Sequence, residues 1–161
     1  MAMDIYVSPH GDDRWTGRLP EPSASGDDGP LATLIAARDR LRAAETRAGA
    51  TVHLRGGAYH LDAPLGLDAA DSGEPNAPVT WRAVDGEEVH LIGGRRLTDF
   101  KPVTDAGVLS RLPDAARGRV LCADVGAHGV ADFGTFHPRG HGGGSNVAAL
   151  QLFFNGQAMT L

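Results

Sequence analysis

The sequence predicts a mainly β chain with one substantial helix near its start. Short apolar or alternating runs recur along it, and nearly every one is closed by Gly, Pro or Asp-Gly. A 3.6-residue apolar period holds only between Thr33 and Gly49. Gly 22 and Pro 10, about a fifth of 161 residues, supply frequent turns without reaching the roughly 25–30% that marks a low-complexity chain. Ala accounts for 24 of the apolar residues and leaves 43 larger ones, so the core is expected to be thin.

Asp4-Ile5-Tyr6-Val7 reads as a strand stopped by Pro9, and His10-Gly11-Asp12-Asp13 supplies turn chemistry behind it. From there to Gly29-Pro30 neither period is present, which predicts a long surface loop. Leu34, Ala37, Leu41, Ala44 and Ala48 then recur at three- and four-residue steps, with Arg38, Asp39, Arg42 and Glu45 opposite. This is an amphipathic helix with Thr33 as N-cap and Gly49 as the residue past its end; Leu34 and Leu41 are expected to be buried and Arg38 and Arg42 exposed.

Thr51 to Arg55 alternates, Gly56-Gly57 interrupts, and Ala58 to Leu61 follows as a second short strand. Asp68 to Pro78 is turn composition throughout. Val79 to Val84 and Val89 to Ile92 are further strands, separated by Asp85-Gly86 and closed by Gly93-Gly94. Two strand-to-Gly-Gly units thus stand 37 residues apart, within the spacing of repeat architectures, although two copies do not make a repeat. Beyond Arg95 the texture changes: a helical turn at Leu109 to Ala116, a strand at Arg119 to Val125, a flexible loop at Arg139 to Asn146, and a hairpin from Leu150 to Leu161 turning at Asn155-Gly156. The apolar ending predicts that the chain continues past Leu161.

Net charge −5 and pI ≈ 5.7 leave no clustered basic face for nucleic acid. No run approaches the 18 or more apolar residues of a membrane span, and the start lacks a secretory signal. As written the chain is expected in the cytoplasm, or in the periplasm or outside the cell if its true N-terminus lies upstream. Fourteen Arg against one Lys fit a G+C-rich bacterial genome.

Taken in order, IYVSPHGDD, GPLATLIAARDRLR, VHLRGGAYHLDAPLGL, DSGEPNAPVTWRAVDGEEVHLIGGRRLTDFKPV, VLSRLPDAARGRVLCADV and LQLFFNGQAMTL resemble the N-terminal region of pectate-lyase-like right-handed parallel β-helix proteins. The nearest branch is the β-helix glycoside hydrolases of the fucosidase and xylanase type. The resemblance implies an N-terminal cap of strand plus amphipathic helix and the first rungs of the coil in residues 1–94. It implies a β-rich insertion, truncated at its end, in residues 95–161. Leu34, Ala37 and Leu41 would face the first rungs; Val52 to Leu54 and Val79 to Val84 would be early rungs. The family's catalytic carboxylates lie on later rungs, so no catalytic residue is carried over, and substrate-binding residues stay unassigned.

The residues themselves offer no better site. Asp12-Asp13 and Asp27-Asp28 are adjacent in loops, where consecutive side chains diverge, so they read as turn residues and not as the paired carboxyls of a glycosidase. A calcium role would want a D-x-[DN]-x-[DN]-G spacing that is absent. His128, His137 and His141 near Cys122 lack zinc-ligand spacing. Gly140 to Gly144 and Ser145 match neither a phosphate loop nor a nucleophile elbow. Trp15 and Trp81 could stack on sugars, but Trp81 in an alternating strand is expected half-buried. No metal and no cofactor is expected.

The expected function is therefore the N-terminal portion of a carbohydrate-active, polysaccharide-degrading β-helix protein, inactive by itself. The alternatives are a free-standing carbohydrate-binding or structural module, and a fragment completed by a second polypeptide. Partners are expected to be a polysaccharide or oligosaccharide, with no nucleic acid, no membrane, and self-association through open strand edges.

Overall fold

The computed structural model describes residues 3–132, 137–138, 146–147 and 151–159, the two middle pairs by backbone alone. The chain is β-rich with few helices and falls into two compact units, Met1–Gly94 and Arg95–Leu161. No sheet among the described residues closes into a barrel.

In the first unit β1 (Asp4–Val7) points Ile5 and Val7 inward, both fully buried. Its outer edge is sealed by the loop that follows it. Tyr6 N donates to Gly17 O at 2.7 Å, Leu31 N to Tyr6 O at 2.9 Å and Ser8 N to Leu31 O at 2.8 Å. An edge whose backbone groups are taken cannot recruit another strand. The long surface loop that the composition predicts is thus also an ordered cover. Gly11 and Gly29 permit the fit: a Cβ on Gly11 would lie 2.3 Å from Leu31 O, and one on Gly29 2.6 Å from the Trp15 ring.

Helix α1 (Leu34–Ala43) starts as the sequence predicts, with Thr33 Oγ1 accepting from Ala36 N at 3.1 Å. Leu34, Ala37 and Leu41 are buried. The helix ends five residues short of Gly49, however, and Ala44 is already extended. Gly49, with φ 72, sits at the third position of a turn closed by Ala50 N to Arg47 O at 3.0 Å. Ala44 and Ala48 extend the apolar period, yet the chain must turn there to bring Thr51 beside β1. Arg38 and Arg42, expected exposed, are half-buried instead, because Arg42 reaches the 3₁₀ turn Ala69–Asp71 and Arg38 donates to Gly66 O at 3.1 Å.

The strands β2 (Thr51–Leu54), β3 (Gly57–His60), β4 (Thr80–Ala83) and β5 (Val89–Ile92) form two parallel stacks. In one, β1, β2 and β4 lie side by side, with Ile5 beside Val52 beside Trp81. In the other β3 pairs β5, with Tyr59 beside Leu91. The Gly-Gly units are not the repeat. Thr51 pairs with Thr80, 29 residues on, and Gly57 with Val89, 32 residues on. Gly56-Gly57 lies at the bend between β2 and β3, whereas Gly93-Gly94 follows β5.

One core joins these layers: Ile5, Val7, Leu31, Leu34, Ala37, Leu41, Ala50, Val52, Leu54 and Tyr59. Burial fades along the stack. Val52 is fully buried, its neighbour Trp81 is half-buried as expected, and Leu91, beside the buried Tyr59, is 52% exposed.

The second unit holds β6 (Lys101–Pro102) antiparallel to β7 (Leu121–Cys122), α2 (Ala106–Arg111), β8 (His137–Pro138) antiparallel to β9 (Asn146–Val147), and a hairpin of β10 (Phe153–Phe154) and β11 (Gln157–Ala158). The helical turn expected at Leu109 to Ala116 is split. Asp105 caps α2 early, accepting from Val108 N at 2.7 Å, and Pro113 separates it from a 3₁₀ turn at Asp114–Ala116. The strand expected over Arg119 to Val125 shrinks to Leu121–Cys122, because Asp124 accepts from Gly126 N at 2.9 Å and starts a 3₁₀ turn. The hairpin turns at Asn155 and Gly156, with φ 48 and 75, the paired positive values of a two-residue type I′ turn. The loop expected at Arg139 to Asn146 falls mostly outside the described residues.

Candidate functional site

In the acidic pairs of the first loop each carboxylate accepts hydrogen bonds from nearby groups. Asp13 accepts from Ala32 N at 2.8 Å, Thr33 N at 2.9 Å and Thr33 Oγ1 at 2.8 Å, which ties the loop to the start of α1. Hydrogen bonds from the Arg14 guanidinium hold Asp12 down to about 2. Asp28 accepts from Thr16 N at 2.7 Å and is lowered by it, and Asp27 is lowered by the hydroxyls of Ser25 and Ser23. The shifts of Asp12, Asp27 and Asp28 are downward, opposite to the raised pKa of a general acid at neutral pH.

A denser polar cluster sits at the bend between β2 and β3. Arg55 Nε donates to Glu87 at 2.9 and 3.0 Å, while its Nη1 donates to Pro20 O at 2.6 Å and to the Glu21 carboxylate. Glu87 also accepts from Gly56 N, and that bond is the main reason its carboxyl lies below the ordinary range, with Arg55 adding to it. Beneath it the buried Tyr59 hydroxyl lies 2.9 Å from Val7 O and 2.8 Å from Arg55 O; burial, then the charge of Glu87, push it up to about 12. Sequence reasoning passed over Arg55, whose only signal is an arginine set directly before a Gly-Gly bend.

Two further groups were missed. Asp71 is buried and accepts from Arg42 at 2.7 and 2.6 Å and from Asp68 N at 2.7 Å; the Arg42 bonds hold it at about 2. On the outward face of β1 and β2, the Tyr6 and His53 rings stack at 4.8 Å and 18°, and His53 Nε2 lies 2.9 Å from Asp4 Oδ1. Alternation alone puts these side chains outward, but only the register makes them neighbours.

Of the expected loop residues, His128 pairs with Asp99, whose pKa it lowers, and Cys122 is exposed. Among the described residues no group of three or more His, Cys, Asp or Glu could hold a metal ion. The side chains of His137, His141 and Ser145, and the Gly140 to Gly144 run, lie outside the described residues. No described helix is long and apolar enough to cross a membrane.

Against this geometry stand the known proteins. Over 125 residues, 78% of this chain and 26% of the relative, the sequence is 36% identical to pectate lyase PEL9 of Emericella nidulans. A solved glycoside hydrolase is 32% identical with TM-score 0.52, over 62% of this chain and 16% of that one. The chain is a pectate-lyase-like, glycoside hydrolase-related protein. A solved rhamnogalacturonan lyase superposes only weakly, at 19% identity and TM-score 0.38 over 56% of this chain and 21% of that one. No family model matches. The pectate-lyase-like chain spans about a quarter of the length of its curated relative.

Proposed function

We propose that residues 1–94 form the capped start of a right-handed parallel β-helix in an enzyme that acts on polysaccharide, by elimination or hydrolysis, and that residues 1–161 contribute no catalytic group. The observation that carries this is the stacking of β1, β2 and β4, and of β3 and β5, in parallel and residue for residue. Parallel strands joined through long connections bury one continuous core only when layers stack on layers. The sealed outer edge of β1 fits the cap, and the fading burial at Trp81 and Leu91 fits a stack with a further layer to cover it. The identity to a pectate lyase makes an acidic plant polysaccharide the first substrate class to test.

Six of the 20 acidic residues support the second half of the proposal. Asp12, Asp27, Asp28, Asp71, Glu87 and Asp99 are all shifted downward, so each is held ionised by donors. Glycoside hydrolysis needs a partner that stays protonated near neutral pH. The 161-residue chain, incubated with polygalacturonate, xylan and aryl fucosides, is expected to release neither unsaturated uronides nor new reducing ends. Turnover that disappears when a residue of this chain is replaced would refute the proposal.

A further inference from the structure

Arg55 touches three layers at once. It belongs to the bend between β2 and β3; its Nε face binds Glu87, just before β5; and its Nη1 binds Pro20 O and Glu21 in the loop that seals β1. Its side chain is 25% exposed and that of Glu87 28%, whereas Glu21 is 68% exposed. The Glu87 carboxylate is spent on the bend, one oxygen on Arg55 and the other also on Gly56 N. Gly57 N in turn donates to Glu88 O at 2.9 Å, so the bend and the β4–β5 connection are stitched by backbone as well.

We propose that Arg55 is a latch that couples closure of the loop around Glu21 to seating of the β4–β5 layer. Each side presents one carboxylate to the same guanidinium, whose planar fork fixes both directions together. Loss of either carboxylate releases the guanidinium from the orientation that the two impose together, so its hold on the opposite side loosens as well. The coupling does not depend on what the protein acts on.

Amide hydrogen exchange of the 161-residue chain tests it. Glu21→Gln is expected to speed exchange about threefold to tenfold at Gly57, Val84 and Glu87, which lie in the bend and the β4–β5 connection. Glu87→Gln is expected to do the same at Ser23 and Gly26, inside the loop. In an Arg55→Met background the two effects should become local, and Arg55→Lys, a point charge without the fork, should not restore the coupling. Exchange changes confined in each single variant to its own segment would overturn the latch. Should Arg55→Met unfold the chain, the two glutamate variants decide the matter alone.

Discussion

The two units use similar material to opposite effect. Met1–Gly94 buries ten apolar side chains, while Phe100, Leu121, Phe153 and Phe154 of the second unit are each at least half exposed, and among the described residues that unit buries none. Both are built from short strands. The first stacks four-residue strands in register and lays a helix over them; the second pairs strands two residues long and antiparallel. A two-residue ladder offers one residue of each strand to a face, so β content without layering leaves the described part of this unit without a core.

The largest effect that could break this contrast is the burial of a charge beneath α1. Leu41 is 1% exposed and belongs to one buried cluster with Ile5, Val7 and Val52. Leu41→Asp is expected to cost about 2–5 kcal/mol for the lost packing, with the buried carboxylate adding to it. The matching change in the second unit, Phe154→Asp, starts from 66% exposure and is expected to stay within about 0.5 kcal/mol. Thermal unfolding followed by circular dichroism compares them. Equal losses would mean that the second unit has a core after all, and no loss at Leu41 that the helix covers nothing.

What could be read in the sequence was what local chemistry decides. The runs Asp4–Val7, Thr51–Leu54 and Val89–Ile92 are strands because β-branched and alternating residues end at Pro or Gly, and Thr33 caps α1 because its hydroxyl can reach Ala36 N. What could not be read was decided by distant partners. Gly49 looked like a helix stop and is a turn before β2; the 37-residue Gly-Gly spacing fell in the range of repeat architectures without proving one, and pairing sets offsets of 29 and 32. Asp13, 20 residues from Thr33, and Arg55, 34 from Glu21, are adjacent only once the loop has closed over β1. The carboxylates read as turn residues do lie in turns, but their bonds, and the Arg42–Asp71 pair, needed the fold to appear.

An intermediate effect separates the two kinds of exposed apolar surface. In the first unit Leu91 stands 52% exposed on β5, and among the described residues β4 and β5 each have a partner on one side only. In the second, Phe153 and Phe154 stand on a hairpin. An edge of two adjacent four-residue strands offers a better template than two residues. The chain is therefore expected to self-associate, and Leu91→Lys to raise its dissociation constant more than Phe154→Lys. Sedimentation equilibrium over a concentration series measures both; a monomer at every concentration rejects the edge as a template, and a larger change at Phe154 moves the contact to the hairpin.

The smallest effect concerns acid. Asp71 is held at about 2 in the folded chain by the Arg42 bonds, against about 3.9 for a free aspartate. A carboxylate whose pKa is lower in the folded state stabilises the fold above its unfolded value, and that contribution is lost as pH falls through the range between the two. The difference in melting temperature between the parent chain and Asp71→Asn should therefore be present at neutral pH and shrink from about pH 4 toward about pH 2. Asp114 supplies the comparison from the second unit: its side chain is 92% exposed and meets Arg117 at 2.8 Å three residues away, so solvent screens the pair and its energy is small. Asp114→Asn should leave the melting profile unchanged across the same range. If both variants follow the parent chain at every pH, the Arg42–Asp71 pair is no more than a surface contact, and the attachment of the 3₁₀ turn to α1 rests on packing alone.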